Sequence, residues 1–270
     1  MQGLFDCHVH ADGLRDADLS TLARFGLEQV LVCAHDGAIP RADKATARDW
    51  LAQFERLLTV EAARFRRHGL RPLFALGVHP TAAPWHGLEE VLQKLPVFLS
   101  EPAVVAIGVL GLRDLGVREH YVLRRQLELA AELRRPVVVA APVRAPLRGL
   151  RALLDALRST ELPADRALIE NVTPRGLALA DACGHFVALE ASSGRLTSQQ
   201  IVAAVRANGG RRFVLTSHAG DGAADLLAVP SLASTLQDAG LSRSIVARIG
   251  RENALRFLGR ADSIRQSRTG

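Results

Sequence analysis

The chain has 270 residues, 48% of them hydrophobic and 4% aromatic, with a formal net charge of +6 and a pI near 10.1. That length suits one large α/β barrel or two small domains, with ample Leu, Val and Ala for a core. No apolar stretch is long enough to span a bilayer and no basic-then-apolar leader opens the sequence, so no membrane partner is expected. Three scattered cysteines, Cys7, Cys33 and Cys183, argue for reduced thiols in a cytoplasmic protein rather than a disulfide framework. Lys44 and Lys94 are the only lysines, and the arginines are spread along helices among Asp and Glu. Charge of that kind does not by itself select nucleic acid as a partner.

The run Gly3–His10 reads as a first strand, followed by a short helix over Asp18–Gly26 and a second strand over Gln29–Ala34. A long amphipathic helix spans Ala45–His68 and stops at Gly69. Leu73–Pro80 is strand three. Gly87–Ser100 is a helix with Pro96 as a bend, and Ala103–Leu112 is strand four. A helix over Arg118–Arg134 leads to strand five, Val137–Ala141. The alternation continues with a helix at Leu147–Ser159, strand six at Arg166–Asn171, and a helix at Gly176–Ala182. Strand seven is His185–Ala191, with a helix at Thr197–Ala207, and strand eight is Arg212–His218. Helices over Leu227–Gly240 and Arg243–Leu258 close the chain. Eight strands alternating with helices is the arithmetic of a (β/α)8 TIM barrel, with a doubly wound sheet as the alternative. Neither repeats nor linkers divide it, so residues 1–260 read as one barrel domain and 261–270 as a frayed, disordered tail.

Residues two apart on a strand share a face, so His8 and His10 point the same way with Asp6 behind them. Cys7 has the opposite parity and should face outward. Paired imidazoles on a rigid strand suit a divalent transition metal, although two histidines alone fit a core or surface pair equally well. Their place at the C-terminal end of a first barrel strand is where barrel enzymes hold their chemistry.

The segments Asp6–His10, Leu76–Pro80, Val105–Gly108 and Gln126–Ala130, with Ala224–Pro230 and Glu252–Leu258 late in the chain, resemble the TatD-related metal-dependent hydrolases. The last two resemble an archaeal-type branch of that group of amidohydrolase-type barrels. The resemblance implies a two-metal hydrolytic centre. One ion takes the His-x-His pair and a strand-eight Asp that also serves as general base. A strand-four Glu bridges the ions, and histidines from strands five and six hold the second. Here the bridging position is Val109, the strand-five position Ala140, the strand-six position Asn171 and the strand-eight position His218. Val and Ala carry no donor atom and Asn is a weak neutral ligand, so a conventional second site is not expected.

One ion remains conceivable. Strands eight and one are neighbours in a closed barrel, so His218 can approach His8 and His10, and three imidazoles plus water is a recognised catalytic zinc set. The competing reading is that His218 merely replaces an Asp in a decayed site. Asp6 is a candidate outer acceptor orienting an imidazole. Asp221 and Glu190 are the spare carboxylates for acid/base work, each equally readable as a solvated or Arg-paired group. His79, His35 with its neighbour Asp36, and Asn171 stand at strand ends, where they would line the mouth and contact substrate; His79 reads equally well as a structural cap on a Pro turn. His68, His86 and His120 read as surface residues. Two functions follow. One is a hydrolase with a reduced, single-metal centre, one divalent ion (zinc), acting on an ester or phosphoester of a small molecule. The other is a non-catalytic barrel that has lost its metal site and binds a metabolite or partner protein. A nucleic-acid substrate is what the resemblance suggests, but no cluster of base-stacking aromatics supports it.

Overall fold

The computed structural model describes residues 3–35, 45–79, 87–190, 195–222 and 224–260. The first half runs β1 (Leu4–Val9), α1 (Asp16–Arg24), β2 (Leu27–Cys33), α2 (Ala47–Arg56), α3 (Ala62–Arg67), β3 (Arg71–Leu76), α4 (Leu88–Leu99) and β4 (Val104–Gly111). The second runs α5 (Val117–Glu132), β5 (Val137–Ala140), α6 (Pro146–Arg158), β6 (Ala167–Glu170), α7 (Pro174–Ala182), β7 (Phe186–Leu189), α8 (Ser198–Asn208) and β8 (Phe213–Leu215). It ends with α9 (Ala228–Asp238), α10 (Arg243–Ala247) and α11 (Asn253–Phe257). The strands form one parallel sheet in the order β1 to β8. A parallel bridge between Val9 and Ala219 joins the two ends, with His218 N–H donating to His8 O at 3.0 Å and His10 N–H to Ala219 O at 2.8 Å. This is the (β/α)8 barrel expected from the alternation.

The apolar residues divide into two layers, as the strand period requires. Leu4, Val9, Val30, Val32, Ile107 and Val139 pack outward against the helices. Phe5, Leu31, Leu73, Val138, Leu168, Phe186 and Val214 fill the lumen. The outward reading of Cys7 is overturned: it packs in the lumen with Phe5 and Cys33. The β1–β2 register shifts between Asp6 and Val9, so simple alternation does not carry through the end of the strand.

Two helix expectations are also corrected. The stretch predicted as one helix over Ala45–His68 starts at Ala47, capped by Thr46 paired with Asp49. Its interior is interrupted by a π-helical segment, Leu57–Glu61. The C-terminal stretch likewise passes through a π-helical segment, Arg248–Glu252, between α10 and α11. Pro96 lies within α4. The predicted disordered tail at 261–270, as well as His86 and Asp36, lie outside the described residues.

Polar side chains from the helices brace the strand ends. Gln126 on α5 accepts from Val78 N–H at 2.7 Å and donates to Val78 O at 3.1 Å, which holds the segment leading to His79. Asn253 donates to Gly210 O and Phe213 O, tying α11 to the start of β8. At the other end of the barrel the loops after β1 and β8 touch through glycine. A Cβ at Gly220 would sit 2.0 Å from His10 O, and one at Gly13 would sit 1.9 Å from Gly220 O. No larger residue fits at either position without moving the backbone that carries His10 and His218.

Candidate metal centre

His8, Val109, Ala140, Asn171 and His218 all stand at or just past the C-terminal ends of their strands, around one mouth. His8 is the penultimate residue of β1 and His10 follows the strand. His218 lies beyond the end of β8 rather than on the strand, because β8 stops at Leu215. It adopts φ +55, and Asn171 adopts φ +62. Left-handed backbone is uncommon outside glycine, moderately so for Asn and His, and such positions concentrate where a fold re-aims a side chain into a site.

The three imidazoles converge. His8 Nε2 and His10 Nε2 are 3.1 Å apart, and the His218 ring centroid is 4.0 Å from that of His8. Among the described residues, His8, His10 and His218 form the one group whose ligand atoms all lie within 4.8 Å of one another. Tetrahedral zinc with imidazole nitrogens at 2.0–2.1 Å separates adjacent ligand atoms by about 3.3 Å. The His8–His10 spacing is therefore close to that of two ligands of one ion.

The decisive neighbour is a residue that strand patterning did not single out. Glu170, the last residue of β6, is fully buried and reaches across the lumen to His8 Nδ1, with its Oε2 at 2.7 Å. A neutral His8 must donate Nδ1–H to that carboxylate, which leaves the Nε2 lone pair facing His10 and His218. The sequence signal was present: an ionisable residue ending the apolar run Ala167-Leu168-Ile169, with Ala140 as its β5 partner. Val109 and Ala140 are buried in the luminal cluster and offer no donor atoms.

Electrostatics follow from burial. Desolvation holds His8 and His218 neutral, lowering the pKa of each to about 3, and pushes that of His10 well below its usual value. Desolvation also raises Glu170 to about 7, while His218, Arg195 and His79 act in the opposite direction. Several buried polar atoms have no hydrogen-bond partner among the described residues: His10 Nδ1, His218 Nε2, Glu170 Oε1 and Asn171 Oδ1. Four orphaned atoms around one mouth, with three neutral imidazoles, form a donor set that fits a divalent cation.

Asp6 behaves differently from the expectation that it would orient an imidazole. Its Oδ1 accepts from the backbone N–H of His8 and of Ser217, each at 3.1 Å, and its Oδ2 accepts the Ser217 hydroxyl. It straps β1 to the segment after β8. Burial raises its pKa to about 7, against the pull of those hydrogen bonds.

The remaining candidates divide. Glu190 follows β7, with its Oε2 3.5 Å from His218 Nε2 and 3.2 Å from Arg195 Nη1. His35 packs its ring 4.1 Å from that of His10 and bonds Asp12 at 3.2 Å. His79 ends the β3 segment and lowers the pKa values of all three clustered histidines. Asn171 is at the rim beside Glu170. Asp221 is exposed on the turn after His218 and lines a separate surface groove with Gly13, Arg15 and Asp18.

Residues 5–173 match the family model described as TatD related DNase. The chain belongs to the TatD family of metal-dependent hydrolases. An uncharacterised metal-dependent hydrolase of Methanocaldococcus jannaschii is 28% identical over 254 residues, 94% of this chain and 99% of the relative. A TatD-like protein from Archaeoglobus fulgidus superposes with a TM-score of 0.77 at 28% identity, covering 94% of this chain and 99% of that one. A phosphotriesterase homology protein from Escherichia coli, solved with phosphate in its active site, shares the fold at a TM-score of 0.68 and 15% identity, covering 95% and 99%. Among the described residues of this TatD protein, no helix is long and apolar enough to cross a membrane.

Proposed function

We propose that this TatD protein is a hydrolase built around one divalent ion, zinc, held by His8, His10 and His218, and that it cleaves an ester bond in a small anionic substrate, with a phosphoester as the best fit. The observation that carries this reading is the clamped pair: His8 Nε2 is 3.1 Å from His10 Nε2 while Glu170 holds the far side of the His8 ring at 2.7 Å. Carboxylate–histidine–metal relays have that form. When bound, such an ion lowers the pKa of a coordinated water and polarises the substrate oxygen.

The chain's own residues supply the rest. Burial keeps the imidazoles unprotonated, so no proton competes for their lone pairs at neutral pH. Glu190, beside His218 and steadied by Arg195, is the carboxylate placed to take a proton at the mouth. Asp221 is the weaker base because it faces solvent. Three neutral ligands would leave the ion without a directly bound negative group, which favours an anionic substrate. His79, His35 and Asn171 surround the mouth as substrate contacts.

A second reading rests on Val109 and Ala140, which remove two donors from the two-metal pattern: a barrel that has lost catalysis and binds a metabolite or partner protein. Zinc content and phosphatase and esterase activity of wild type, His8→Ala and His218→Ala separate the two. Stoichiometric zinc in wild type, lost or weakened at least about tenfold in either variant, with hydrolysis falling in step, supports the hydrolase. Wild-type protein that holds no ion when offered zinc leaves the non-catalytic barrel standing.

A further inference from the structure

The opposite end of the barrel carries a feature that the metal centre does not use. A cavity of about 360 Å³ opens beneath the N-terminal ends of β4, β5 and β6. It is lined by Arg134, Arg135, Arg166 and Arg260 over a floor that includes Val105, Pro136 and Leu258. Among the described residues, none of these four arginines is ion-paired with a carboxylate. Arg135 donates to Leu99 O and Arg260 to Pro102 O. Those bonds cap the end of α4 and the turn after it, and leave most of each guanidinium's five N–H groups unused. Among the described residues, the Arg134 and Arg166 side chains make no such bond.

The turn that presents Arg134 is costly for an arginine. Helix α5 ends in a Schellman turn, with Arg135 N–H bonded to Ala130 O at 2.9 Å and Arg134 at φ +52. The matching positions after α1, α3, α7, α9 and α11 are Gly26, Gly69, Gly184, Gly240 and Gly259, all with positive φ. Glycine is the low-strain residue there, and this chain uses it at those five ends and departs from it where the side chain reaches the cavity. Gly259 is itself part of the wall: a Cβ on it would lie 2.7 Å from Arg166 Nη1. The small residue lets the Arg166 guanidinium sit over the turn.

We propose that this basal pocket binds a phosphate group, free or as a small phosphate monoester. Planar guanidiniums match phosphate oxygens in geometry and charge, and the volume suits a small metabolite rather than a macromolecule. The site is independent of the metal centre, because His8, Glu170 and His218 stand at the opposite, C-terminal end of the barrel.

Calorimetric titration of zinc-loaded protein with inorganic phosphate at constant ionic strength tests this, run in parallel on the His218→Ala background to remove anion binding at the mouth. The expected result is a phosphate site that survives His218→Ala and weakens at least about tenfold when Arg166→Gln is added, while Arg151→Gln, at an exposed position of α6, leaves it unchanged. Titration with ribose 5-phosphate separates a monoester ligand, which binds more tightly than phosphate, from free phosphate. Arg134→Gly gives an independent readout. It should raise the melting temperature in anion-free buffer by about 2–4 °C and remove the upward shift that phosphate gives the wild type. Absent binding, binding that vanishes with His218→Ala, binding indifferent to Arg166→Gln, an equal loss in Arg151→Gln, or a lower melting temperature in Arg134→Gly would overturn the proposal.

Discussion

Replacing Glu170 with Gln isolates what the buried carboxylate does. Gln keeps the shape and can still accept the His8 Nδ1–H, but it carries no charge. In metal-free protein the carboxylate is a liability. Burial raises its pKa from 4.5 to about 7, so the ionised group costs the fold up to about 3 kcal/mol above pH 7. The sign is set by proton uptake. Below pH 4.5 folded and unfolded states are both protonated and the cost vanishes; it grows as pH rises from 4.5 toward 7 and is complete above. Chelator-treated Glu170→Gln should therefore melt several degrees above wild type at pH 8, on the order of 6–12 °C if the full penalty is relieved. The two proteins should converge near pH 4.5. With zinc the order reverses in affinity: the variant should bind about 10–100-fold more weakly, because the negative partner of His8 is gone. Thermal melts across pH and a competitive zinc titration measure both. A variant that melts below wild type at pH 8 would make Glu170 a structural residue. One that also binds zinc as tightly as wild type would refute the relay reasoning altogether.

Val109→Glu places a lone carboxyl in the luminal cluster beside Ala140; it should lower stability by about 2–4 kcal/mol in metal-free buffer, with partial recovery on adding zinc, read by thermal melts. Gly220→Ala should destabilise by about 2 kcal/mol or more and weaken zinc binding, because its Cβ would meet His10 O at 2.0 Å at φ +92; unchanged zinc affinity would show that the β1–β8 loop contact does not position the ligands. Acidification should destabilise the apo protein through the imidazoles. His218 titrates at 6.5 when unfolded and at about 3 when folded, so the unfolded state binds more protons between those values and stability falls as pH drops through that window. His218→Gln should flatten part of that loss in urea midpoints taken at pH 7 and pH 4.5, and an unaltered pH slope would show that the imidazole is not held neutral.

The barrel was legible because its evidence is local. Apolar runs such as Val137-Val138-Val139 and helices stopped at Gly69 or Gly240 announce themselves within a few residues, and strand alternation with helices leaves few ways to bury both faces of a parallel sheet. The His8–His10 pair was legible for the same reason, since two residues two apart at one strand end need no knowledge of the rest of the chain. The convergence of His218 was inferable only once the barrel was taken to close, which brings β8 beside β1. Glu170 was visible as an ionisable end to an apolar run, but its partner was not inferable from pattern. Its contact with His8 spans 162 positions and crosses the lumen, so it depends on strand lengths, the register shift between Asp6 and Val9 and the absence of bulk at Ala140. Cys7 failed for a related cause: parity counts hold while a strand is regular, and that register shift changes which side chains face the lumen. Sequence determined which strands exist and which histidines lie together at the end of the first. Tertiary structure alone decided which carboxylate meets them, because a cross-barrel contact is set by the closed geometry of the strands and not by the residues on either side of it.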